Sequence, residues 1–92
     1  MANHEHFETI YNGHKKLVYN VCLHYVLNSA DAEDITQEVF LKVYQKYPQY
    51  NASQASLKTW IYRITINHCL DFLKARNAKK RVGFLSALLL PN

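Results

Sequence analysis

The stretch SADAEDITQEVFLKVYQKYP, residues 29–48, decides the fold. Laid out at 100° per residue, Ala32, Thr36, Val39, Val43 and Tyr47 gather on one side, with Ile35 and Phe40 at its edges. Asn28 or Ser29 can cap the start, and Asp31, Glu33 and Asp34 fill the first turn, where the helix dipole favours negative charge. Pro48 disfavours helical geometry in the residue before it, so the spacing predicts a helix from about residue 29 to 47. The opposite side holds Asp34, Gln37, Glu38, Tyr44 and Gln45, with Leu41 in their midst. An apolar centre with a polar rim is the pattern of a protein interface. Single exposed leucines are also common on ordinary solvent faces.

Working outward, Phe7, Ile10, Tyr11, Leu17, Val18, Val21, Cys22 and Tyr25 recur at three- and four-residue steps, which predicts a first helix over about 5–27. Residues 49–56 are polar and without period, hence a loop. A third helix runs from about residue 55 to 76 or beyond, and residues 82–92 read as a linker or short terminal helix, apolar after Gly83. The expected fold is all-α: a three-helix bundle with a polar loop between helices two and three and a short C-terminal apolar extension.

Ninety-two residues suffice for one small core. At 49% hydrophobic and 20% charged, with two glycines and two prolines, the composition is that of a folded chain. The net charge of +4 is uneven: residues 1–57 sum to −2 and residues 58–92 to +6. The C-terminal part suits a polyanion and the first part a basic protein. Cys22 and Cys69 have no metal-binding spacing, and two thiols without a signal peptide fit a reducing cytoplasm. No apolar run approaches the roughly 20 residues of a membrane span.

On helix three, Tyr62, Ile66, Cys69, Leu70 and Leu73 are expected to form the apolar face. Trp60, Arg63, Ile64, Asn67, Asp71 and Lys74 fall together on the other. An indole beside cations and an amide offers stacking, phosphate pairing and hydrogen bonding, the devices that hold unstacked bases. The plainer alternative packs Trp60 and Ile64 under the loop and leaves Arg63 and Lys74 in solvent. Lys74, Arg76, Lys79, Lys80 and Arg81 then form a basic run of the kind that tracks phosphates.

Two stretches resemble a known family. Residues 31–44, DAEDITQEVFLKVY, resemble the D-A-E-D-x-x-Q-E-x-F pattern in the second helix of extracytoplasmic-function (ECF) sigma factors. Residues 57–71, LKTWIYRITINHCLD, look like that family's t-W-l-y-r-I-a-x-N-x-x-x-D signature, and Phe7 to Tyr11 resembles its F-x-x-i-Y lead-in. The resemblance covers about residues 7–80 and implies a transcription initiation domain, sigma region 2, at residues 1–81. It assigns Asp34, Gln37, Glu38 and Leu41 to docking on the β′ clamp helices of core RNA polymerase. It assigns Trp60, Arg63, Ile64 and Asn67 to the promoter −10 element, with Lys74 and Arg76 on the non-template strand. The loop Tyr50, Asn51, Ala52, Ser53, Gln54, Ala55, Ser56 would capture a flipped base, although it lacks the glycine and acid frequent there. An anti-sigma factor is a further candidate partner. The family's −35-binding helix-turn-helix domain has no counterpart in these 92 residues, which suggests an excised or truncated chain.

Three other readings compete. A helix-turn-helix regulator would need a short turn and an inserted recognition helix, which the longer loop and acidic second helix disfavour. A metal enzyme could draw on His4, His6, His14, His24 and His68, but His68 and Cys69 point about 100° apart and no second ligand pair has a metal spacing. A protein-interaction module is suggested by the apolar stretch 84–90. No cofactor and no catalytic residue is expected.

Overall fold

The computed structural model describes residues 3–89, with side-chain surroundings from residue 6 onward. It comprises three helices, α1 (Asn3–Val26), α2 (Ser29–Lys46) and α3 (Leu57–Leu89), with a single 3-10 turn at Tyr47–Gln49. Among the described residues there is no strand, and no helix is long and apolar enough to cross a membrane.

The connection between α1 and α2 is two residues long, so the helices fold back as near neighbours. Leu27 closes α1 in the left-handed region, φ 58°, with its N–H donating to the Leu23 carbonyl at 2.8 Å. Asn28 is extended (φ −148°, ψ 122°), and its side-chain oxygen accepts from the Asp31 N–H at 2.9 Å. It thereby satisfies one of the orphan donors of α2. Of the two expected capping candidates, Asn28 is the cap.

The core is a single cluster. α1 contributes Ile10, Val18, Cys22 and Val26; α2 contributes Ala32, Ile35, Val39, Phe40 and Val43; α3 contributes Ile61 and Cys69. The inner face of α2 is the expected one, with Tyr47 packed at its margin. The face of α3 is not. Tyr62 and Leu70, expected inside, are each 42% exposed, and Ile61 and Thr65 are fully buried in their place. The stripe 57, 61, 65, 69, 72 is interrupted by a polar threonine, which made the neighbouring face look more apolar. Thr65 tolerates burial because its hydroxyl donates to the Ile61 carbonyl at 2.8 Å, as Thr36 donates to Ala32 at 2.7 Å.

Only the first half of α3 packs. From Asn77 to Leu89 every residue is exposed, and the molecule measures 62 × 24 × 21 Å. The helix passes through Gly83 without a break, so the expected separate extension is, as far as Leu89, the end of α3 itself. Residues 90–92 lie outside the described residues.

Candidate polymerase and nucleic-acid surfaces

The outer face of α2 carries Asp34, Gln37, Glu38 and Leu41, all exposed. Leu41 is 58% and Tyr44 54% exposed. The two flank a shallow groove of about 380 Å³ between α1 and α2, lined by Phe7, Tyr11, Gln37, Phe40, Leu41 and Tyr44. Edge-on contacts of Phe7 with Tyr44 (5.1 Å) and of Tyr11 with Phe40 (4.9 Å) shape its floor. The apolar centre and acid-amide rim expected from spacing are therefore brought together on one open surface.

On α3 the expected group divides. Arg63, Asn67, Lys74 and Asp71 are exposed. Trp60 and Ile64 are half-buried and pack against the core, as in the plainer alternative. Trp60 belongs to an aromatic cluster: its ring centroid lies 5.0 Å from Tyr50 and 6.4 Å from Tyr47, and these tyrosines stack at 5.9 Å. Arg76 is half-buried with its guanidinium 5.5 Å above the Phe72 ring.

The loop folds on itself. Asn51 Oδ1 accepts from the Ser53 N–H at 2.9 Å and the Ser53 hydroxyl at 2.7 Å, an Asx-turn. Gln54 N–H donates to the Asn51 carbonyl at 3.0 Å, and the Tyr50 hydroxyl to the Ala55 carbonyl at 2.8 Å. Ser56 caps α3, its hydroxyl oxygen accepting from the Thr59 N–H at 3.1 Å. Asn51, Ala52, Ser53 and Gln54 are exposed at the tip, while Tyr50 and Ala55 are half-buried at its base.

Several histidines spend ring nitrogens on the fold: His6 meets the Tyr47 hydroxyl at 2.9 Å, His14 the Ile10 carbonyl at 2.8 Å, and His68 the Glu38 carboxylate at 2.7 Å. The side chain of His4 lies outside the described residues, and among those described no three His, Cys, Asp or Glu converge as a metal site. Cys22 and Cys69 are free, fully buried thiols in mutual contact. Burial pushes both up from the usual value, Cys69 to about 12, with Cys22 beside it adding to the rise.

The family model for sigma-70 region 2 matches residues 10–79. The chain belongs to that family. Curated relatives of this region 2 chain include ECF sigma factors. SigG of Mycobacterium tuberculosis is 41% identical over 49 residues, which is 53% of this chain and 13% of that protein. SigW of Bacillus subtilis is 30% identical over 70 residues, covering 76% and 37%. The sigma-E factor of Escherichia coli is 33% identical over 64 residues, covering 70% and 33%. The chain thus spans less than two fifths of each of these relatives. No solved structure gives a significant match.

Within this region 2 domain, two features escaped sequence reading. The Tyr47–Tyr50–Trp60 cluster joins residues across a loop with no periodicity. The His68–Glu38 bond spans thirty residues and two helices. Spacing rules act within one element, so neither had a local signal.

Proposed function

We propose that this domain docks on core RNA polymerase through the outer face of α2 and opens the promoter −10 element with α3 and the loop before it. The observation that carries this reading is Leu41, held in solvent at the centre of Asp34, Gln37 and Glu38. An uncovered leucine ringed by acids and amides suits a basic coiled-coil partner such as the β′ clamp helices. The chain works in the cytoplasm, with transcription.

Melting needs no covalent chemistry. Extruding a base costs a few kcal/mol of stacking and pairing, offset by contacts to the flipped base. Asn67 offers an amide that both donates and accepts. Arg63 and Lys74 bring positive charge to phosphates on the same exposed side. Trp60, braced by Tyr47 and Tyr50, acts as a fixed wall rather than a swinging ring. The exposed tip, Asn51 to Gln54, borders the base pocket, and Arg76 guides the strand only by its uncovered edge. Tethering on polymerase supplies the effective concentration that a small DNA surface lacks.

The double variant Asp34→Lys/Leu41→Ala abolishes capture of core polymerase while the far-ultraviolet helical signal stays intact; retained capture refutes the docking assignment. Asn67→Ala lowers permanganate reactivity of the melted −10 region without weakening capture. Unchanged footprints remove Asn67 from strand opening. A shifted closed duplex without polymerase would instead favour a helix-turn-helix regulator.

A further inference from the structure

The polar tie between the two functional helices is a histidine. His68 Nε2 lies 2.7 Å from Glu38 Oε1. An ionised carboxylate can only accept, so Nε2–H donates, which leaves Nδ1 as the ring's other polar atom. That Nδ1 is buried and has no partner. The imidazole is 17% exposed and Glu38 59%. The ring is thus gripped between α3 and α2, while the carboxylate it holds remains largely exposed.

We infer that His68 is a positioning residue for polymerase docking, fixing the Glu38 carboxylate in the conformation its partner meets. This rests on the assignment of Glu38 to the docking face. A glutamate on a surface helix otherwise samples many rotamers, and freezing them on association weakens binding. His68 imposes that order beforehand, from the helix that also bears Asn67 one residue away. The docking face, through Glu38, is thereby tied to the helix that carries the strand-opening face.

The test measures the affinity of the full 92-residue chain for core polymerase by competition, with thermal melts alongside. His68→Leu keeps apolar bulk and removes the donor; it weakens binding by about three- to tenfold, the cost of re-ordering one flexible side chain. His68→Gln, whose amide N–H has nearly the reach of Nε2, restores affinity to within about twofold of the wild type. On a Glu38→Ala background, His68→Leu has no further effect. A purely structural role moves none of these in that pattern. The inference is overturned if His68→Leu binds like the wild type, if glutamine fails to rescue, or if the loss persists without Glu38. Wild-type chain that does not bind polymerase at all brings down the docking assignment and this inference with it. Wild-type binding with an indifferent His68→Leu brings down this inference alone.

Discussion

Leu41 and Val43 stand two residues apart on α2 and face opposite ways, so truncating each separates docking from folding. Leu41 is 58% exposed and Val43 is fully buried. Covering a whole leucine side chain stabilises by about 1.5–3 kcal/mol, so the fraction left outside is worth about 1–2 kcal/mol when a partner covers it. Leu41→Ala should therefore raise the Kd for core polymerase by roughly 5- to 20-fold. Folding stability should fall by only about 0.5–1 kcal/mol, the worth of the part its own fold covers.

Val43→Ala removes two buried methyl groups and leaves a cavity, a loss of about 2–3 kcal/mol. For a domain of this size that lowers the Tm by on the order of 10–20 °C. Well below its own midpoint, the variant should bind polymerase with near wild-type affinity. Fluorescence anisotropy against core polymerase and thermal circular dichroism read the two effects separately. If Leu41→Ala melts like Val43→Ala and binds unchanged, Leu41 is a folding residue and the docking face is misplaced.

Two further outcomes follow from the fold alone. Leu27 is held at φ 58°, costly for a side chain with a Cβ, and is 82% exposed. Leu27→Gly relieves that strain and should stabilise the domain by about 1 kcal/mol, read as a higher urea midpoint; an unchanged or lower midpoint means the left-handed turn costs nothing. The Cys69 thiol is pushed by burial from the ordinary 9.0 up to about 12, so the folded state holds its proton where the unfolded chain releases it. Stability from this group is complete below pH 9 and is lost as pH rises toward 12, the sign expected when the unfolded chain binds fewer protons. Urea midpoints at pH 8 and 10.5 should fall more steeply for the wild type than for Cys69→Ala; parallel declines would show that the thiol does not contribute.

What could be read from sequence was set by how far each signal reached along the chain. The inner face of α2 was legible because Ala32, Ile35, Val39, Phe40 and Val43 are all apolar and the Asn28–Asp31 start is a local motif. Leu41 was legible for the same reason, as an exception to a clean pattern. On α3, Thr65 broke the apolar stripe, and a threonine satisfied by its own helix counts as polar in a hydropathy pattern but behaves as core. Tyr62 and Leu70 consequently took the place of Ile61 and Thr65 in the expected face. Sequence left Trp60 open between an available ring and one packed under the loop, because Tyr47 and Tyr50, which pack on it, precede and begin an aperiodic loop. Glu38 was legible as an exposed acid, yet its histidine partner could be found only in three dimensions.

The continuity of α3 joins these pieces. An isolated helix as short as residues 77–89 is marginal in water, because the first turn is costly to nucleate. Here no new nucleus is needed, since the segment extends a helix already fixed by Ile61, Thr65 and Cys69. The exposed arm therefore inherits its phase from the buried half. Trp60, Asn67, Lys74 and Arg81 recur every seventh residue, and a straight α-helix drifts only about 20° per heptad. They lie along one slowly turning stripe, with steps of about 10 Å and a total reach of about 31 Å. Lys80, about 100° round the helix from Arg81, is left out of it. For the proposed strand-opening face this means that wall, amide and two cations hold their order by helical geometry alone. The core packing that anchors the buried part of α3 also aims the last cation.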